Sequence, residues 1–139
     1  MRILLAVASI VVGSFALGAP AVAVASENTG NACLSRFVCF YANSGFGPTS
    51  AILNIDSNET NWANIGGAPD ACGGITSHVW NDCASSIKSM FATNTMWVWS
   101  DSSCVGSMLQ VLAGETFSNL GNNNFNDIIS ADSVNQQSC

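Results

Sequence analysis

Short apolar stretches separated by polar turn residues make up most of the chain after its first 25 residues. None of them sustains a helical repeat over three turns; they are about five residues long and rich in β-branched and aromatic residues. Clusters of Asn, Asp, Ser and Gly separate them, and such residues favour tight turns. The pattern predicts an all-β domain with strands at 37–41, 51–55, 86–91, 96–99, 108–112 and 128–130.

Two tryptophans alternate along one predicted strand. Trp97 and Trp99 are separated by a single residue, so their side chains share a face of that strand. We predict that this face packs in the core, because one face of a small sandwich is buried. A platform for carbohydrate or for another protein is the alternative interpretation.

The first 25 residues have the features of an export signal. Arg2 precedes an almost wholly apolar run at 3–17, and the small residues Ala23 and Ala25 fit a signal-peptidase site. We therefore predict a signal peptide at 1–25, with Ala23 as the alternative cleavage position. A membrane anchor is the competing interpretation, since the run approaches the roughly 20 residues that span a bilayer. Glycines and a proline within the segment argue against an anchor.

Removing 25 of the 139 residues leaves 114, enough for one compact domain. We place this domain at 33–139, after a flexible start at 26–32. Its two basic residues, Arg36 and Lys88, stand against nine acidic ones, a net charge of −7. Such a surface repels phosphate groups, so we expect neither nucleic acid nor, after cleavage, a membrane as partner. We expect a secreted, extracellular monomer that favours cations or basic protein patches.

All six cysteines lie in the predicted mature part. An even count in a small exported chain predicts a disulfide framework, although six cysteines permit 15 connectivities. Among these we predict Cys33–Cys39, Cys72–Cys83 and Cys104–Cys139, each contributing about 2–4 kcal/mol. Zinc is disfavoured, because C-x-x-C is absent and His78 is the only histidine.

We predict that the chain is not an enzyme. Its single histidine, His78, lies in a glycine-rich loop, whereas nucleophilic catalysis needs a base beside a nucleophile and an acid. The cysteines are assigned to disulfides, and no pair of acidic residues stands out for glycoside chemistry.

The same parts occur twice along the chain in the same order. WNDCASSI at 80–87 nearly repeats as FNDIISAD at 125–132. Upstream of each, an aromatic residue, four turn-forming residues and a further residue occur at 41–46 and 99–104. An Asn-Ile-Gly or Asn-Leu-Gly tripeptide lies in between, and we equate Asn64 with Asn119 on this basis.

Two related units of this kind indicate an internal duplication. The first copy, about 37–92, carries about 13 more residues than the second, about 95–132, mostly between Gly66 and Trp80. Neither copy is long enough to bury a sheet face alone. We therefore predict two Greek-key motifs packed on a shared core.

This order of parts resembles the βγ-crystallin motif, in which aromatic-x-x-x-x-aromatic and a strand precede Asn/Asp-Asn/Asp-x-x-Ser/Thr-Ser. CLSRFVCFYANSGFG at 33–47 with WNDCASSIKS at 80–89 is similar to secreted bacterial peptidase inhibitors of βγ-crystallin type, which include small metalloproteinase inhibitors. The resemblance covers roughly 33–132. It implies a disulfide-stabilised double Greek-key sandwich that binds an extracellular protease. The chain departs from the motif at Pro48, Cys104 and Ala131, where a glycine, an aromatic residue and a serine are expected.

The repeated Asn-Asp-x-x-Ser element supplies hard oxygen atoms of the kind that calcium prefers. We pair Asp82 with Ser85 and Asp127 with Ser130, three residues apart across each turn. One formal charge per site predicts weak binding, with a Kd of about 10⁻⁴–10⁻³ M. The same element also forms ordinary turns in which the side chains bond local N–H groups, so calcium is one of two interpretations.

The resemblance implies that a backbone carbonyl from the other motif's hairpin completes each calcium site. In this chain those carbonyls would lie near Ala42 and Ser100. The candidate ligands are Asn81, Asp82, Ser85, Asn126, Asp127, Ser130, Ala42 and Ser100. Calcium is the only cofactor that we consider.

Inhibition of a protease requires a rigid exposed segment that enters its cleft without losing much conformational freedom. Our candidate inhibitory segment is Cys104 and Val105 in SDSSCVGS, since a disulfide would fix the loop and valine suits a thermolysin-like enzyme. Alternatively, Cys104 anchors the chain end and Val105 begins a strand. The loop at 68–78 is the rival contact segment. Two other functions are a calcium-binding extracellular structural module and an antimicrobial toxin on the same fold.

Overall fold

The computed structural model describes residues 32–47, 52–69, 72 and 78–139. The predicted signal peptide, most of the predicted flexible start, Pro48 and most of the loop at 68–78 lie outside these residues. Among the residues described, no helix combines the length and the hydrophobicity that a membrane crossing needs.

Seven strands in the described residues form two antiparallel sheets. The strands are β1 (Val38–Tyr41), β2 (Ile52–Ile55), β3 (Ser86–Ser89), β4 (Met96–Asp101), β5 (Val105–Val111), β6 (Thr116–Phe117) and β7 (Ala131–Val134). One sheet has the order β2-β1-β3-β6 and the other the order β5-β4-β7. Short 3₁₀ helices lie at Ser44–Phe46, Trp62–Asn64 and Leu120–Asn123. The predicted all-β class is therefore confirmed.

Two strand predictions fail near the chain end. The strand expected at 128–130 is wrong: Asp127 takes a left-handed φ of 53°, and pairing with β4 begins only at Ala131. The two-residue strand β6 is missed altogether, because so short a segment carries no alternating pattern. In contrast, β5 starts earlier than predicted, since a register shift opposite Asp101 lets its pairing continue back to Val105.

The two motifs exchange parts of their sheets. The second motif contributes β6, which pairs with β3 of the first motif. In return Glu59 of the first motif bridges Asp132 in β7, with backbone N–H to O distances of 3.1 and 2.8 Å. Each sheet therefore contains residues from both motifs, and the two Greek keys interlock rather than merely pack together.

The 3₁₀ helices at Trp62–Asn64 and Leu120–Asn123 occupy equivalent places in the two motifs. Asn61 and Asn119 precede them in nearly the same conformation, and each side chain caps its helix by accepting a backbone N–H. Equating Asn64 with Asn119 is therefore wrong by three residues. What recurs is a capping asparagine followed by a buried side chain, not the glycine of the tripeptide.

Apolar side chains of both motifs form one continuous core between the sheets. At its centre the rings of Phe40 and Trp62 meet edge to face, with centroids 4.7 Å apart. Burial of each such side chain contributes about 1.5–3 kcal/mol. The largest fully buried members are Trp62, Phe40, Leu53, Ile55, Ile87, Met96, Leu120 and Ile129.

Trp97 and Trp99 do not face this core, so the prediction for them is wrong. Met96 and Val98, the alternating residues of β4, belong to the core instead. Trp99 is nevertheless buried, on the outer side of the sheet, while Trp97 stays partly exposed. The first motif has a corresponding outer cluster, in which Tyr41 contacts Phe46 edge to face at 5.4 Å.

The structure contains three disulfide bonds with the predicted connectivity. Cys33–Cys39 and Cys104–Cys139 have Cα–Cα distances of 5.6 Å, and Cys72–Cys83 has 4.9 Å. The Cys104–Cys139 bond ties the chain end to the turn before β5. Such a framework is typical of small domains that fold in oxidising compartments.

One carboxyl group is fully buried where the motifs meet. Trp62 donates its Nε1–H to Oδ1 of Asp132 at 2.7 Å, whereas Oδ2 has no hydrogen-bond partner among the described residues. Burial raises the pKa of Asp132 well above its ordinary value, and the nearby charge of Glu59 raises it further. The hydrogen bond from Trp62 lowers the pKa but does not outweigh the effect of burial.

We predict that Asp132 makes the folded chain less stable as the pH rises. Because its pKa is raised in the folded state, its contribution is fully present below the ordinary carboxyl pKa of about 4 and is lost as the pH rises through the raised value. Asp132→Asn removes this titration and keeps an oxygen for Trp62. Its free energy of unfolding, measured in urea across pH, should therefore decline less steeply above about pH 4.

Asp56→Asn, which replaces an exposed aspartate away from the junction, is the matched control. Parallel pH profiles for Asp132→Asn and the parent chain would contradict the assignment.

Candidate functional site

Each Asn-Asp turn is bonded to the opposite motif. Asp82 and Asp127 both adopt left-handed φ angles, 56° and 53°, which aspartate tolerates better than most residues. The backbone N–H of Asp82 donates to Ile129 at 3.1 Å, and that of Asp127 donates to Ala84 at 3.0 Å. The turns are therefore held in place by the other motif, and their carboxylates project toward it.

The carboxylates and serines form two crossed groups, which we name cluster 1 and cluster 2. In cluster 1, Ser85 Oγ lies 2.9 Å from the carbonyl oxygen of Ala42 and 2.8 Å from Oδ1 of Asp127. In cluster 2, Ser130 Oγ donates to Oδ1 of Asp82 at 3.1 Å, and Ser100 lines the same cleft. Each cluster thus joins a serine of one motif to an aspartate of the other.

The hydrogen bonds do not follow the sequence-based pairing of Asp82 with Ser85 and of Asp127 with Ser130 but join these residues crosswise. Backbone bonds fix each serine to its own hairpin: Ser85 N–H donates to Tyr41 at 2.8 Å, and Ser130 N–H donates to Trp99 at 2.9 Å. The aspartates, in contrast, reach across. The structure does bring Ala42 together with the second motif's aspartate, in the arrangement that the resemblance implies.

The neighbouring asparagines support the carboxylates rather than the serines. Asn81 donates its amide to Oδ2 of Asp82 at 2.6 Å, and Asn126 does the same for Oδ2 of Asp127. These bonds leave Oδ1 of each aspartate directed at the serine of the opposite motif. Asn81 and Asn126 thus orient the two clusters.

The donor atoms suit a hard cation. Cluster 1 offers a carboxylate, a hydroxyl and a backbone carbonyl, all oxygens, and cluster 2 offers a carboxylate and a hydroxyl beside Ser100. Calcium accepts such a mixture, whereas structural zinc prefers sulfur and nitrogen. Within the described residues no group of three or more His, Cys, Asp or Glu side chains is placed to hold a metal. A cation here would therefore depend on neutral oxygens as well.

A cleft of about 660 Å³ lies beside cluster 2 and contains residues that the sequence interpretation missed. Asn61, Asp101 and Ser102 line it together with Asp82 and Ser130. Asp101 folds back over the hairpin turn because Gly106 has no side chain: a Cβ there would collide with the Asp101 and Ser100 side chains. The sequence did indicate this turn, because SDSSCVG is rich in turn-forming residues and its Gly106 can adopt a φ of 82°.

The candidate inhibitory segment lies in the same hairpin. Cys104 is bonded to Cys139, and Val105 begins β5 with 57% of its surface exposed. The geometry thus fits the alternative in which Cys104 anchors the chain end and Val105 starts a strand. His78 lies exposed at the end of the rival loop, and its carbonyl accepts the Ala68 N–H at 2.9 Å. The absence of catalysis stays a prediction.

We expect Ser85 and Asp127 to be energetically coupled without any metal. Ser85→Ala and Asp127→Ala should each lower the free energy of unfolding, and together they should cost about 0.5–1.5 kcal/mol less than their sum, because they remove one shared bond. The matched pair is Ser85 with Asp82, whose side chains share no hydrogen bond in the described part of the chain. Its coupling should be close to zero.

Urea unfolding in the presence of a chelator measures both cycles. Coupling between Ser85 and Asp82 alone would contradict the crossed arrangement.

Comparison with solved structures supports the same fold. No protein-family model matches the chain, and no curated protein matches it. Solved βγ-crystallin structures do. One of them, described under the evolution of the eye-lens βγ-crystallin domain fold, has a TM-score of 0.58 and 19% sequence identity. The match covers 77% of this chain and 91% of the other chain.

Two further structures give the same result. A βγ-crystallin from Ciona intestinalis has a TM-score of 0.51 at 17% identity over 70% of this chain and 96% of its own. Spherulin 3a from Physarum polycephalum has a TM-score of 0.52 at 17% identity over 78% of this chain and 91% of its own. This chain therefore has the βγ-crystallin fold, a double Greek-key sandwich stabilised by three disulfide bonds.

Proposed function

We propose that this chain is an exported βγ-crystallin-type domain that binds calcium at the junction between its two motifs. The observation that carries the proposal is the crossing of clusters 1 and 2. A cation bound to either cluster would touch both motifs at once, so its binding energy would add directly to the stability of the interlocked fold.

The hydrogen bonding of cluster 1 favours a cation over an ordinary turn. Ser85 has one hydroxyl proton but lies within hydrogen-bond distance of two acceptors, the Ala42 carbonyl and Oδ1 of Asp127. Ser85 can therefore donate to only one of the two acceptors at a time. A cation would satisfy all three oxygens, because the serine can rotate its proton away and present a lone pair.

The charge of the chain points in the same direction. Its mature part carries a net charge of −7, of which Asp82 and Asp127 place two negative charges at exposed positions on the rim of the clusters. Ser85 and Ser130 are buried beneath them. With one carboxylate per cluster, a Kd of about 10⁻⁴–10⁻³ M is expected, which is suited to the calcium concentrations that an exported protein meets.

We predict that calcium raises the melting temperature of the mature, disulfide-bonded protein. At 10 mM calcium and a Kd of about 1 mM, the native state gains about 1.4 kcal/mol per site. Asp82→Asn with Asp127→Asn should abolish the shift, because each cluster loses its only charge. Asp56→Asn removes an exposed acid elsewhere and should leave the shift intact.

Differential scanning calorimetry in calcium and in chelator provides the measurement. Equal melting temperatures in the two conditions would sink the calcium proposal.

Inhibition of an extracellular protease, which the sequence resemblance implies, is a second candidate function. The observation that favours it is the exposed Val105 in a constrained hairpin. Ser103, Cys104 and Gly106 adopt positive φ angles of 60°, 55° and 82°, and the disulfide to Cys139 fixes the turn. Such a segment would enter a cleft at little cost in conformational entropy.

We predict that Val105→Asp abolishes inhibition of a susceptible protease and leaves the fold intact, since Val105 is exposed. Met90→Asp changes another exposed apolar residue, outside the hairpin, and should retain inhibition. Progress curves with a panel of metallo- and serine proteases measure both. The inhibitor function is excluded if no protease in the panel is inhibited at micromolar concentrations of the parent chain.

A further inference from the structure

Exposed apolar side chains are concentrated along one strand. Of the four large ones exposed among the described residues, Val105, Met108 and Leu112 lie on or directly after β5, with 57%, 45% and 48% of their surfaces accessible. The fourth, Met90, follows β3 and is 37% exposed. We name the first three the β5 row.

The register of the sheet places Val105 and Met108 of the β5 row on one side. Met108 pairs with Trp99 and Val105 pairs with Asp101, two residues further along β4. Because cross-strand partners share a face, and alternate residues of a strand do as well, Val105 and Met108 project on the same outer side. The register shift between them, three residues of β5 opposite two of β4, produces this alignment.

Among the described residues β5 also lies at the edge of its sheet, and the one backbone bond that β5 makes to a side chain there is the 3.0 Å bond from Ser107 N–H to Ser100 Oγ. The strand is seven residues long. The other sheet ends differ: β7 is bridged by Glu59, β6 has only two residues, and all four residues of β2 are buried. Natural edge strands usually carry lysine, proline or charge that prevents pairing. VGSMLQV has none of these.

Charge distinguishes between possible occupants. No charged residue occurs from 102 to 114, whereas Asp101 and Glu115 bracket this neutral segment. A second copy of the chain, pairing antiparallel across a twofold axis, would bring the Asp101 end of one β5 against the Glu115 end of the other. Like charges would then meet at both ends, against a net charge of −7 on each mature chain.

We propose that β5 is a docking edge for an extended segment of another protein, with apolar side chains at alternate positions and basic residues at both ends. The segment adds a strand to the sheet through main-chain hydrogen bonds, its apolar side chains cover the β5 row, and its basic ends meet Asp101 and Glu115. This docking requires neither calcium nor a protease, and it goes beyond the proposed inhibition although Val105 belongs to both surfaces.

The experiment uses the mature, disulfide-bonded protein in chelator and a synthetic peptide in which valine and threonine alternate between two lysines at each end. The matched peptide has glutamates in place of the lysines. Titration by fluorescence anisotropy should show saturable binding of the lysine-ended peptide and at least ~10-fold weaker binding of the other. Amide hydrogen exchange should slow along β5 when the first peptide is bound.

Two variants locate the contact. Met108→Lys places a charge within the β5 row and should weaken binding at least ~10-fold. Met90→Lys makes the same exchange at an exposed site outside β5 and should leave the affinity unchanged. Near-ultraviolet circular dichroism establishes that both variants are folded.

The proposal is overturned if the lysine-ended peptide does not bind at millimolar concentration, or if Met90→Lys weakens binding as much as Met108→Lys. It is also overturned if sedimentation shows a dimer of the parent chain that Met108→Lys dissociates, because the occupant is then a second copy.

Discussion

Hydrogen bonds that run from each motif to the other hold this fold together. They occur in matched pairs at equivalent positions of the two repeats, so several turn and edge groups of each motif find their partners in the other motif. β6 of the second motif extends the first motif's sheet by pairing with β3, and Glu59 of the first motif forms a bridge to Asp132 in β7. In one matched pair, Gly45 N–H donates to the Ser118 carbonyl at 2.7 Å and Ser103 N–H donates to the Thr60 carbonyl at 2.6 Å. In the other, Leu120 N–H donates to the Ser85 carbonyl and Trp62 N–H to the Ser130 carbonyl, both at 2.9 Å.

This reciprocity explains how far the sequence could predict the structure. The duplicated order of parts was visible, and it predicted the two Greek keys and the shared core. The disulfides were predicted as well: Cys33–Cys39 and Cys72–Cys83 close short loops of 6 and 11 residues, and the bond across 35 residues joins the two remaining cysteines, Cys104 and Cys139. The partner of each turn was not, since Ser85 lies three residues from Asp82 but 42 from Asp127. Sequence spacing favours the local pair, whereas the left-handed turns direct both carboxylates across the junction.

The departures from the motif have structural counterparts. Cys104 stands where the first motif has Phe46, and both residues adopt a φ of 55°. In the first hairpin Phe46 packs against Tyr41, whereas in the second the disulfide to Cys139 fixes the same position. A covalent bond thus replaces an aromatic contact without changing the turn. It also explains why Val105, the next residue, can be so exposed in a rigid hairpin.

The hydroxyl bonds of the two clusters, the proposed calcium sites and the buried Asp132 all lie at the same junction. The central claim is that the junction makes the two motifs one cooperative unit, and native-state hydrogen exchange tests it most directly. The amides of Gly45, Ser103, Trp62 and Leu120 should exchange only by global unfolding, with the same free energy as the amides of β1 and β4. If β1 and β3 stay protected under conditions in which β4 and β7 exchange, the motifs unfold separately and the claim is contradicted.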